Sequence, residues 1–320
     1  MKKLAMSFIT YNRAKHIRED LAIIAQPTKE CDIDIYIYDG STNMQTKQVV
    51  DEYLQEGYNH IHYLHTDKHI SVIDSIYQRV TDALLAPDAE YVWMCGDKFV
   101  IRPDHYLEIL SYIDRSYDII TIYGYPLKET RRFDNARSYV NCAIVPITHY
   151  GSTIIKKKLI ESFNIWKACE ECPSFGVQLT YLRAIADVEG FKGVVIDKGT
   201  QTSIESQYQT PSSSESQMWT SWVVNWYRFV ELLPPVYEDI REGLYNRPDL
   251  QAGFFSRKEL LRQRSEGQFD WKKCWECKEY IKKVIVMPNV YVFGIAILPR
   301  CVVKRLYKLK HCKCLYKFKH

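Results

Sequence analysis

The first hundred residues alternate between strand-like and helix-like segments, and this alternation constrains the fold more than any other feature. Short apolar runs are separated by segments in which apolar residues recur every three or four positions, as on one face of a helix. Strands that alternate with helices pair in parallel through right-handed crossovers. We therefore predict an α/β domain with a mostly parallel sheet flanked by helices, the first of which ends at Pro27. The predicted strands are Leu4–Thr10, Ile33–Tyr38, Ile61–Leu64 and Tyr91–Cys95.

Polar loops follow three of these strands. Thr10–Arg13 ends the first strand, Asp39–Ser41 follows the second, and Gly96–Lys98 follows the fourth. In open sheets of this type, ligands bind beyond the carboxyl ends of the strands. Because parallel strands bring these ends to one edge, the three loops are predicted to form a single binding site.

The rest of the chain is predicted to extend this domain and then to become helical. With 320 residues and 46% hydrophobic residues, the chain has material for one large domain or two modest ones. Asp118–Tyr123 and Val194–Asp197 are predicted strands, and the Ser-, Gln- and Thr-rich stretch Ser203–Gln217 is a predicted loop or boundary. Trp219, Trp222 and Trp226 then recur at helical spacing. We predict an α/β domain at 1–205, a helical region at 218–283 and a tail at 284–320.

Positive charge is concentrated in the tail. The chain has a net charge of +4, but Arg300–His320 holds eight Lys or Arg and no acidic residue, so the first 299 residues carry −4. This mildly acidic body argues against nucleic acid as a partner. Val284–Pro299 is mostly apolar, yet it is shorter than the ~20 residues of a spanning helix. An apolar segment before a basic, aromatic-rich one predicts attachment to a membrane surface, with a dimerisation segment and an RNA-binding arm as alternatives.

The N-terminal run and the cysteines predict a cytoplasmic protein. Leu4–Thr10 is short for a signal peptide and no small-residue cleavage site follows it, so it is interpreted as a strand. The ten cysteines are then free thiols, because the cytosol is reducing. Two pairs have Cys-x-x-Cys spacing but lie far apart in the sequence, so ordinary half-buried thiols are favoured over a shared zinc site. These pairs are Cys169/Cys172 and Cys274/Cys277.

Four motifs, in order, resemble those of family 2 glycosyltransferases. Ser7–Arg13 is similar to their opening strand and loop, and Tyr38–Thr42 to their Asp-Asp-Gly-Ser turn, with Tyr in place of the first Asp. Tyr91–Lys98 resembles the strand that carries their Asp-x-Asp motif, and Tyr150–Lys156 resembles a mid-domain element of bacterial members. The resemblance covers roughly residues 4–200. It implies a Rossmann-like GT-A fold, a nucleotide-sugar donor and an inverting transfer.

The implied donor, a UDP-sugar in the first place, gives the loop residues roles. A pyrimidine base needs a flat apolar contact, which Tyr11 can provide, and partners for its polar edge, which Asn12 and Asp39 can provide. The alternatives are a plain turn at Asp39–Ser41 and helix capping at Thr10–Asn12. The predicted donor contacts are Thr10, Tyr11, Asn12, Arg13, Asp39, Ser41, Asp74 and Gly96.

The sequence departs from the family at the metal motif. Aligned through Tyr91 and Pro103, the two acidic positions that contact the metal fall on Gly96 and Lys98, with Asp97 between them. Departure of the diphosphate requires a cationic group. Two predictions follow for this site: Mg²⁺ or Mn²⁺ held by Asp97 together with water and phosphate oxygens, or Lys98 in place of the metal.

Inverting transfer also requires a base for the acceptor hydroxyl. In the family this base commonly lies in an acidic pair before a helix, and the acids in the corresponding region are Glu170 and Glu171. We predict Glu171 as the base, with a solvated helix start as the alternative. Asp134, His149 and Asp187 stay open for the role.

The predicted function is inverting transfer of a sugar to a saccharide, lipid-linked acceptor in bacterial cell-surface polysaccharide synthesis, at the inner face of the plasma membrane. The alternatives are a transferase that glycosylates a protein and an inactive nucleotide-sugar-binding module. The tryptophan-lined helix either packs against the main domain or forms a platform for the acceptor. A homodimer is the outcome if the tail is a dimerisation segment.

Overall fold

The computed structural model describes residues 1–66, 72–97, 99–123, 129–197, 201–203 and 219–307. The chain divides into two compact units, Met1–Gln209 and Thr210–His320. The division falls within the stretch predicted as a loop or boundary, of which residues 204–217 lie outside the described residues.

The first unit is built on a mixed eight-stranded sheet with the strand order 3-2-1-4-8-6-9-7. Strands 1 to 4 are mutually parallel where they pair, and strands 6 and 9 run in the same direction as these. Strands 7 and 8 are antiparallel to their neighbours, and strands 5 and 10 form a separate antiparallel pair. The strands are β1 (Lys2–Thr10), β2 (Asp34–Asp39), β3 (Ile61–His65), β4 (Ala89–Gly96), β5 (Phe99–Ile101), β6 (Ile119–Tyr123), β7 (Arg131–Phe133), β8 (Thr153–Lys156), β9 (Gly193–Asp197) and β10 (Gln201–Ser203).

Helices cover the sheet because the central strands present apolar side chains on both of its faces. Leu4, Met6 and Phe8 of β1 are almost completely buried, in one core with apolar residues of the first, second and fourth helices. The third helix contacts strands β1, β2 and β4. The helices of this unit are α1 (Ala14–Glu30), α2 (Gln45–Gln55), α3 (Val72–Leu85), α4 (Tyr106–Asp114), α5 (Ala136–Ala143), α6 (Lys157–Ile160), α7 (Ile165–Glu171) and α8 (Gly176–Ala184).

The end predicted for the first helix is wrong by one turn. Helix α1 continues through Pro27 to Glu30. Proline has no backbone N–H, so the Ile23 carbonyl oxygen lacks the donor that residue 27 of a regular helix would supply. One residue further on, the Thr28 Oγ1 donates to the carbonyl oxygen of Ile24 at 2.7 Å, which adds a side-chain hydrogen bond to this last part of the helix.

The second unit is helical, as predicted. A π-helical segment, Thr220–Asn225, leads into the first helix, and residues 300–307 are also helical. The helical region predicted at 218–283 is divided into several short helices. The helices are α9 (Trp226–Glu231), α10 (Glu238–Tyr245), α11 (Pro248–Phe254), α12 (Arg257–Glu266), α13 (Trp271–Glu276), α14 (Lys278–Val284) and α15 (Asn289–Ile297).

The predicted tryptophan-lined helix exists and packs inside the second unit. Trp219 is 1% exposed and stacks on Phe269, with ring centroids 4.2 Å apart. Trp222 stacks on Phe254 at 3.9 Å. The fully buried Trp226 donates from its indole nitrogen to the carbonyl oxygen of Tyr245 at 3.0 Å. The three tryptophans therefore pack in a core, but their partners here belong to the second unit and not to the main domain, against which packing was predicted.

The segment predicted as a separate tail is in large part a component of the second unit. Val284, Val292 and Val303 are fully buried. The Gln251 amide donates to the carbonyl oxygen of Val284 at 2.6 Å, and the buried Arg264 donates to the carbonyl oxygens of Ala296 and Leu298. The structure therefore differs from the boundary predicted at residue 284. No helix among the described residues is long and apolar enough to cross a membrane, and the basic residues 308–320 lie outside them.

Candidate active site

The carboxyl ends of the central parallel strands meet at one edge of the sheet. Thr10 is in register with Asp39 on β2, and Ile9 with Gly96 on β4. Asp39 is in turn paired with His65 at the end of β3. The structure thus brings together the loops after β1, β2 and β4, as the strand pattern predicts.

Asp39 is the buried centre of this edge. Its Oδ1 accepts hydrogen bonds from the backbone N–H of Ser41 at 2.9 Å and from the Ser41 hydroxyl. Its Oδ2 accepts from the Tyr63 hydroxyl at 2.9 Å. The Ser41 contacts are those of the plain turn at Asp39–Ser41 that was considered as an alternative. The Tyr63 contact goes beyond that turn, because it extends the network to β3. Burial, and next the bond to Asp39, raise the pKa of Tyr63, so its hydroxyl stays a donor. A carboxylate offers about four acceptor positions, and three are used here.

Arg79 of α3 is a site residue that the sequence analysis missed. It is 3% exposed, donates to the Ser75 hydroxyl at 2.6 Å, and interacts electrostatically with Asp39. Burial lowers its pKa, and the Asp39 charge opposes this shift. A Cβ added to Gly40 would lie 1.9 Å from Arg79 Nη1, so the guanidinium packs directly on the Gly40 backbone. The sequence signal was the glycine itself, which permits this close approach.

Asn12 joins the loops after β1 and β2. Its φ of 54° lies in the left-handed region, which asparagine tolerates better than most residues. The Asn12 side-chain oxygen accepts from the backbone N–H of Thr42 at 3.1 Å and from the Asn43 amide at 3.2 Å. Its backbone N–H donates to the Ser41 hydroxyl at 2.7 Å. The helix-capping alternative is not what the structure shows, since α1 begins after Arg13 without a side-chain cap.

Asp97 at the end of β4 is fixed by residues of the first loop. Arg13 Nη1 donates to Asp97 Oδ1 at 2.7 Å, and the Thr10 hydroxyl lies 3.4 Å from Oδ2. Asp97 is 7% exposed, so this ion pair is largely shielded from water. Lys98, predicted as a catalytic cation, lies outside the described residues.

The structure describes one part of the predicted metal site. Mg²⁺ at nucleotide sites is usually held by one or two carboxylates together with water and substrate phosphates. Asp97 is paired with Arg13, and no group of three potential metal-ligating side chains occurs within the described ranges. The assignment of Asp97 as a metal ligand, with water and phosphate oxygens completing the shell, stays a prediction.

Asp20 of α1 is a second missed residue near this edge. It is 1% exposed, and neither carboxylate oxygen has a hydrogen-bond partner among the described residues. Burial, followed by the negative charge of Asp97, raises the pKa of Asp20 to about 8. The sequence signal was its position on the buried stripe between Ile17 and Leu21, where a charged residue is unexpected.

The remaining predicted residues lie on nearby elements. Glu171, at the end of α7, accepts from Arg183 at 2.9 Å, whereas Glu170 accepts from the indole nitrogen of Trp166 at 3.0 Å. Asp74 lies in the first turn of α3, where it is partly exposed. Tyr11 is 50% exposed beyond β1, so its ring is accessible for stacking. The three residues left open as bases, Asp134, His149 and Asp187, are all exposed.

A mixed sheet with this strand order, a ligand edge at its centre and a helical region after it defines the GT-A fold. No family model and no curated protein matches the sequence. Among solved structures, TarS 1–349 of S. aureus, a GT-A glycosyltransferase, has a TM-score of 0.56 at 18% identity, over 96% of this chain and 92% of that chain. The TarS 1–349 complex with UDP-GlcNAc gives 0.52 at 14%, with the same coverage.

The similarity extends beyond TarS. Mannosyltransferase PcManGT from Pyrobaculum calidifontis, solved with GDP-Man and Mn²⁺, has a TM-score of 0.53 at 12% identity, over 92% of this chain and 86% of that chain. At these identities the likeness shows the fold. The predicted GT-A fold with a C-terminal helical region is thereby confirmed.

Proposed function

We propose that this protein is a glycosyltransferase that moves a sugar from a nucleotide-sugar donor to a saccharide acceptor. The favoured donor is a UDP-sugar. The observation that carries the proposal is the edge at which the buried Asp39 and Arg79 lie near the exposed Tyr11. Asp39 retains an acceptor position for the imide or ribose of the nucleoside, and Tyr11 offers a flat contact for the base. The nucleotide sugars bound by TarS and PcManGT support this proposal.

In the proposed reaction, cationic side chains stabilise the leaving diphosphate. Arg13 lies at the carboxyl ends of β1 and β4, and Lys98 follows Asp97 in the sequence. A cation 4 Å from a developing negative charge contributes about 4 kcal/mol at an effective dielectric constant of ~20. Asp97 holds Arg13 in place. Glu171 is the proposed base of an inverting transfer, and it is paired with Arg183. The neighbouring Glu170 accepts a hydrogen bond from Trp166 and has no ion pair among the described contacts.

The test has two arms. A panel of nucleotide sugars is screened for thermal stabilisation, since a ligand that binds the folded state raises its stability, and each hit is assayed for hydrolysis without acceptor. Stabilisation with hydrolysis supports a transferase; stabilisation without any turnover, with or without acceptor, identifies the inactive binding module. The second arm repeats the assay in EDTA. Full activity supports Arg13 and Lys98, and loss that Mn²⁺ restores would show that a metal binds with the substrate.

We also propose that the acceptor is lipid-linked, in bacterial cell-surface polysaccharide synthesis, and that the protein works on the inner face of the plasma membrane. Support comes from an exposed apolar surface on the second unit. Trp271 packs edge-on against Phe293 and lies 5.8 Å from Trp275. This apolar surface comprises Trp271 (44% exposed), Trp275 (55%), Val290 (81%), Phe293 and Ile297 (62%).

A basic side chain contacts the apolar surface, since Lys278 lies 4.5 Å from the centre of the Trp275 ring. Lys272, Lys304 and Arg305 are exposed on the same unit. Tryptophan and lysine together are typical of elements that lie at a membrane interface. A water-soluble protein acceptor would not require such a surface. The apolar surface therefore favours a lipid-linked acceptor over protein glycosylation.

A further inference from the structure

A second feature of the edge has no role in the donor site: the loop that precedes β8. The N–H of Gly151 donates to the carbonyl oxygen of Met94 at 3.0 Å, and the carbonyl oxygen of Gly151 accepts from the Trp93 indole at 2.9 Å. Gly151 has a φ of 83°, which favours glycine. The loop is therefore tied to β4 immediately before Asp97.

This attachment places Tyr150 beside the donor edge. A Cβ added to Gly96 would lie 3.5 Å from the Tyr150 Cβ, so the two residues are close neighbours. Tyr150 is 47% exposed, so its ring is accessible for stacking on a ligand. Burial by the surrounding protein raises its pKa to about 12. At neutral pH its hydroxyl is a hydrogen-bond donor and not a base.

Two further aromatic side chains lie on the elements next to Tyr150. Tyr77 of α3 packs edge-on against Trp166 of α7, with ring centroids 5.8 Å apart. Tyr77 also interacts electrostatically with Tyr150, which shows that the two are near one another. The Trp166 indole donates to Glu170, whose carboxylate is exposed. Aromatic faces and a few polar groups are thus combined at this corner, as in sites that bind sugars and other small molecules.

We propose that Tyr150, supported by Tyr77 and Trp166, binds a pyranose ring of the acceptor saccharide next to the donor. The inference rests on the proposed function, because an acceptor must approach the sugar at the diphosphate end of the donor, where β4 ends. The apolar C–H face of a pyranose covers the Tyr150 ring, and its hydroxyl groups reach Glu170 and the Tyr150 hydroxyl. The corner therefore selects a saccharide acceptor over a lipid or peptide group at the reacting end.

The experiment measures UDP release from the UDP-sugar that the donor screen identifies, with and without a panel of p-nitrophenyl glycopyranosides. For Tyr150→Ala we expect stimulation by the active glycoside to need a ten- to hundredfold higher concentration, while unstimulated hydrolysis and UDP affinity stay at the wild-type level. Tyr150→Phe keeps the ring and should retain most of the stimulation. Leu107→Ala, at an exposed apolar position on α4, is the control and should behave as wild type.

Three results would overturn the inference. Tyr150→Ala stimulated at the same concentration as wild type would remove Tyr150 from the acceptor site. A parallel loss of UDP affinity would place it in the donor site instead. A wild-type protein that hydrolyses the donor but responds to no glycoside would contradict a saccharide acceptor. Absence of any nucleotide-sugar binding by the wild type would be a failure of the proposed function itself, which the donor screen detects separately.

Discussion

Gly40 makes room for the charged side chain of Arg79 because glycine has no Cβ. The Arg79 guanidinium packs on the Gly40 backbone, and its charge lies near enough to the buried Asp39 to interact with it. A nearby positive charge offsets part of the cost of burying a carboxylate. Gly40 leaves the space in which the guanidinium lies.

We expect Gly40→Ala to weaken UDP binding. The new Cβ would lie 1.9 Å from Arg79 Nη1, so the guanidinium must leave its position against Gly40. Loss of the charge-assisted contact expected between Arg79 and UDP costs ~1.5–3 kcal/mol, or roughly ten- to hundredfold in the dissociation constant. Isothermal titration with UDP measures this change.

The matched control is Gly243→Ala. A Cβ at this position on α10 meets nothing within 4 Å, so the helix should gain ~0.5–1 kcal/mol of stability and UDP binding should not change. An unaltered dissociation constant for Gly40→Ala would exclude Arg79 from the donor site.

Asp20 gives the protein a specific pH dependence. Its pKa is raised to about 8 by burial and by Asp97, against an unfolded value near 3.9. Between these values the folded state binds one proton more than the unfolded state, so the free energy of unfolding falls as the pH rises from about 4 to 8. The slope is at most about 1.4 kcal/mol per pH unit.

Asp20→Asn removes the titrating carboxyl group and should flatten the dependence of the free energy of unfolding on pH between about 4 and 8. Thermal unfolding from pH 5 to 8.5 should show the variant gaining on the wild type as the pH rises, with the difference levelling off above pH 8. Parallel curves for the two proteins would mean that Asp20 is solvated or paired in solution.

At the residue scale, the sequence predicts the positions that end strands and misses those on helices. Thr10, Asp39 and Gly96 are found because a strand pattern places its last residue at a known edge. Arg79 and Asp20 lie on helices, and periodicity assigns a polar helical residue to the solvent by default. Their burial depends on which strand each helix crosses, which no local pattern contains.

At the scale of elements, boundaries fail where a local rule meets tertiary packing. Pro27 is a helix-ending residue by its own chemistry, yet α1 continues to Glu30. The apolar segment after residue 284 has the composition of a membrane anchor, yet Val292 and Ile295 are buried in the second unit. In both cases packing and side-chain hydrogen bonds outweigh the local signal.

Two truncations test the role of that segment. Ending the chain at residue 283 removes α15 and the fully buried Val284, Val292 and Val303, each worth ~1.5–3 kcal/mol of burial. The second unit should then unfold and be cleaved rapidly by trypsin. Ending it at residue 307 keeps these contacts and should leave resistance to trypsin unchanged.

The first unit is an internal standard in the same digest. It should resist trypsin in both truncated proteins and still bind UDP, because the donor loops precede residue 100. Equal resistance of the second unit in the two proteins would show that residues 284–307 do not stabilise it.

At the scale of the whole molecule, charge and apolar surface are distributed in a way that the sequence shows only in part. Composition locates eight basic residues after residue 299. It does not show that α13, two helices earlier, adds Trp271 and Trp275 to the surface of α15. Composition also does not separate the apolar residues of this segment from one another. In the structure Val292 and Ile295 are buried, whereas Val290 and Ile297 are exposed and available for insertion.

We therefore expect two separable contributions to membrane attachment. Residues 308–320 contain five lysines, and each contributes at most ~1 kcal/mol near an anionic leaflet, a term that salt screens. The exposed apolar side chains contribute through burial, which salt does not weaken. The full chain should pellet with phosphatidylglycerol-containing vesicles and be partly released in high salt. The chain ending at residue 307 should bind more weakly and show a smaller salt dependence, because it loses five lysines and keeps the basic residues before residue 308.

The complementary variant Val290→Asn/Ile297→Asn should bind at low salt and be released completely at high salt, because it keeps the lysines and loses the apolar contact. Leu107→Asn, exposed on the first unit, controls for the change in polarity and should pellet as wild type. Activity on a soluble acceptor should be the same in all four proteins. If the full chain ignores these vesicles but elutes as a dimer that truncation at residue 307 splits, then the tail joins two copies of the chain and the membrane proposal is wrong.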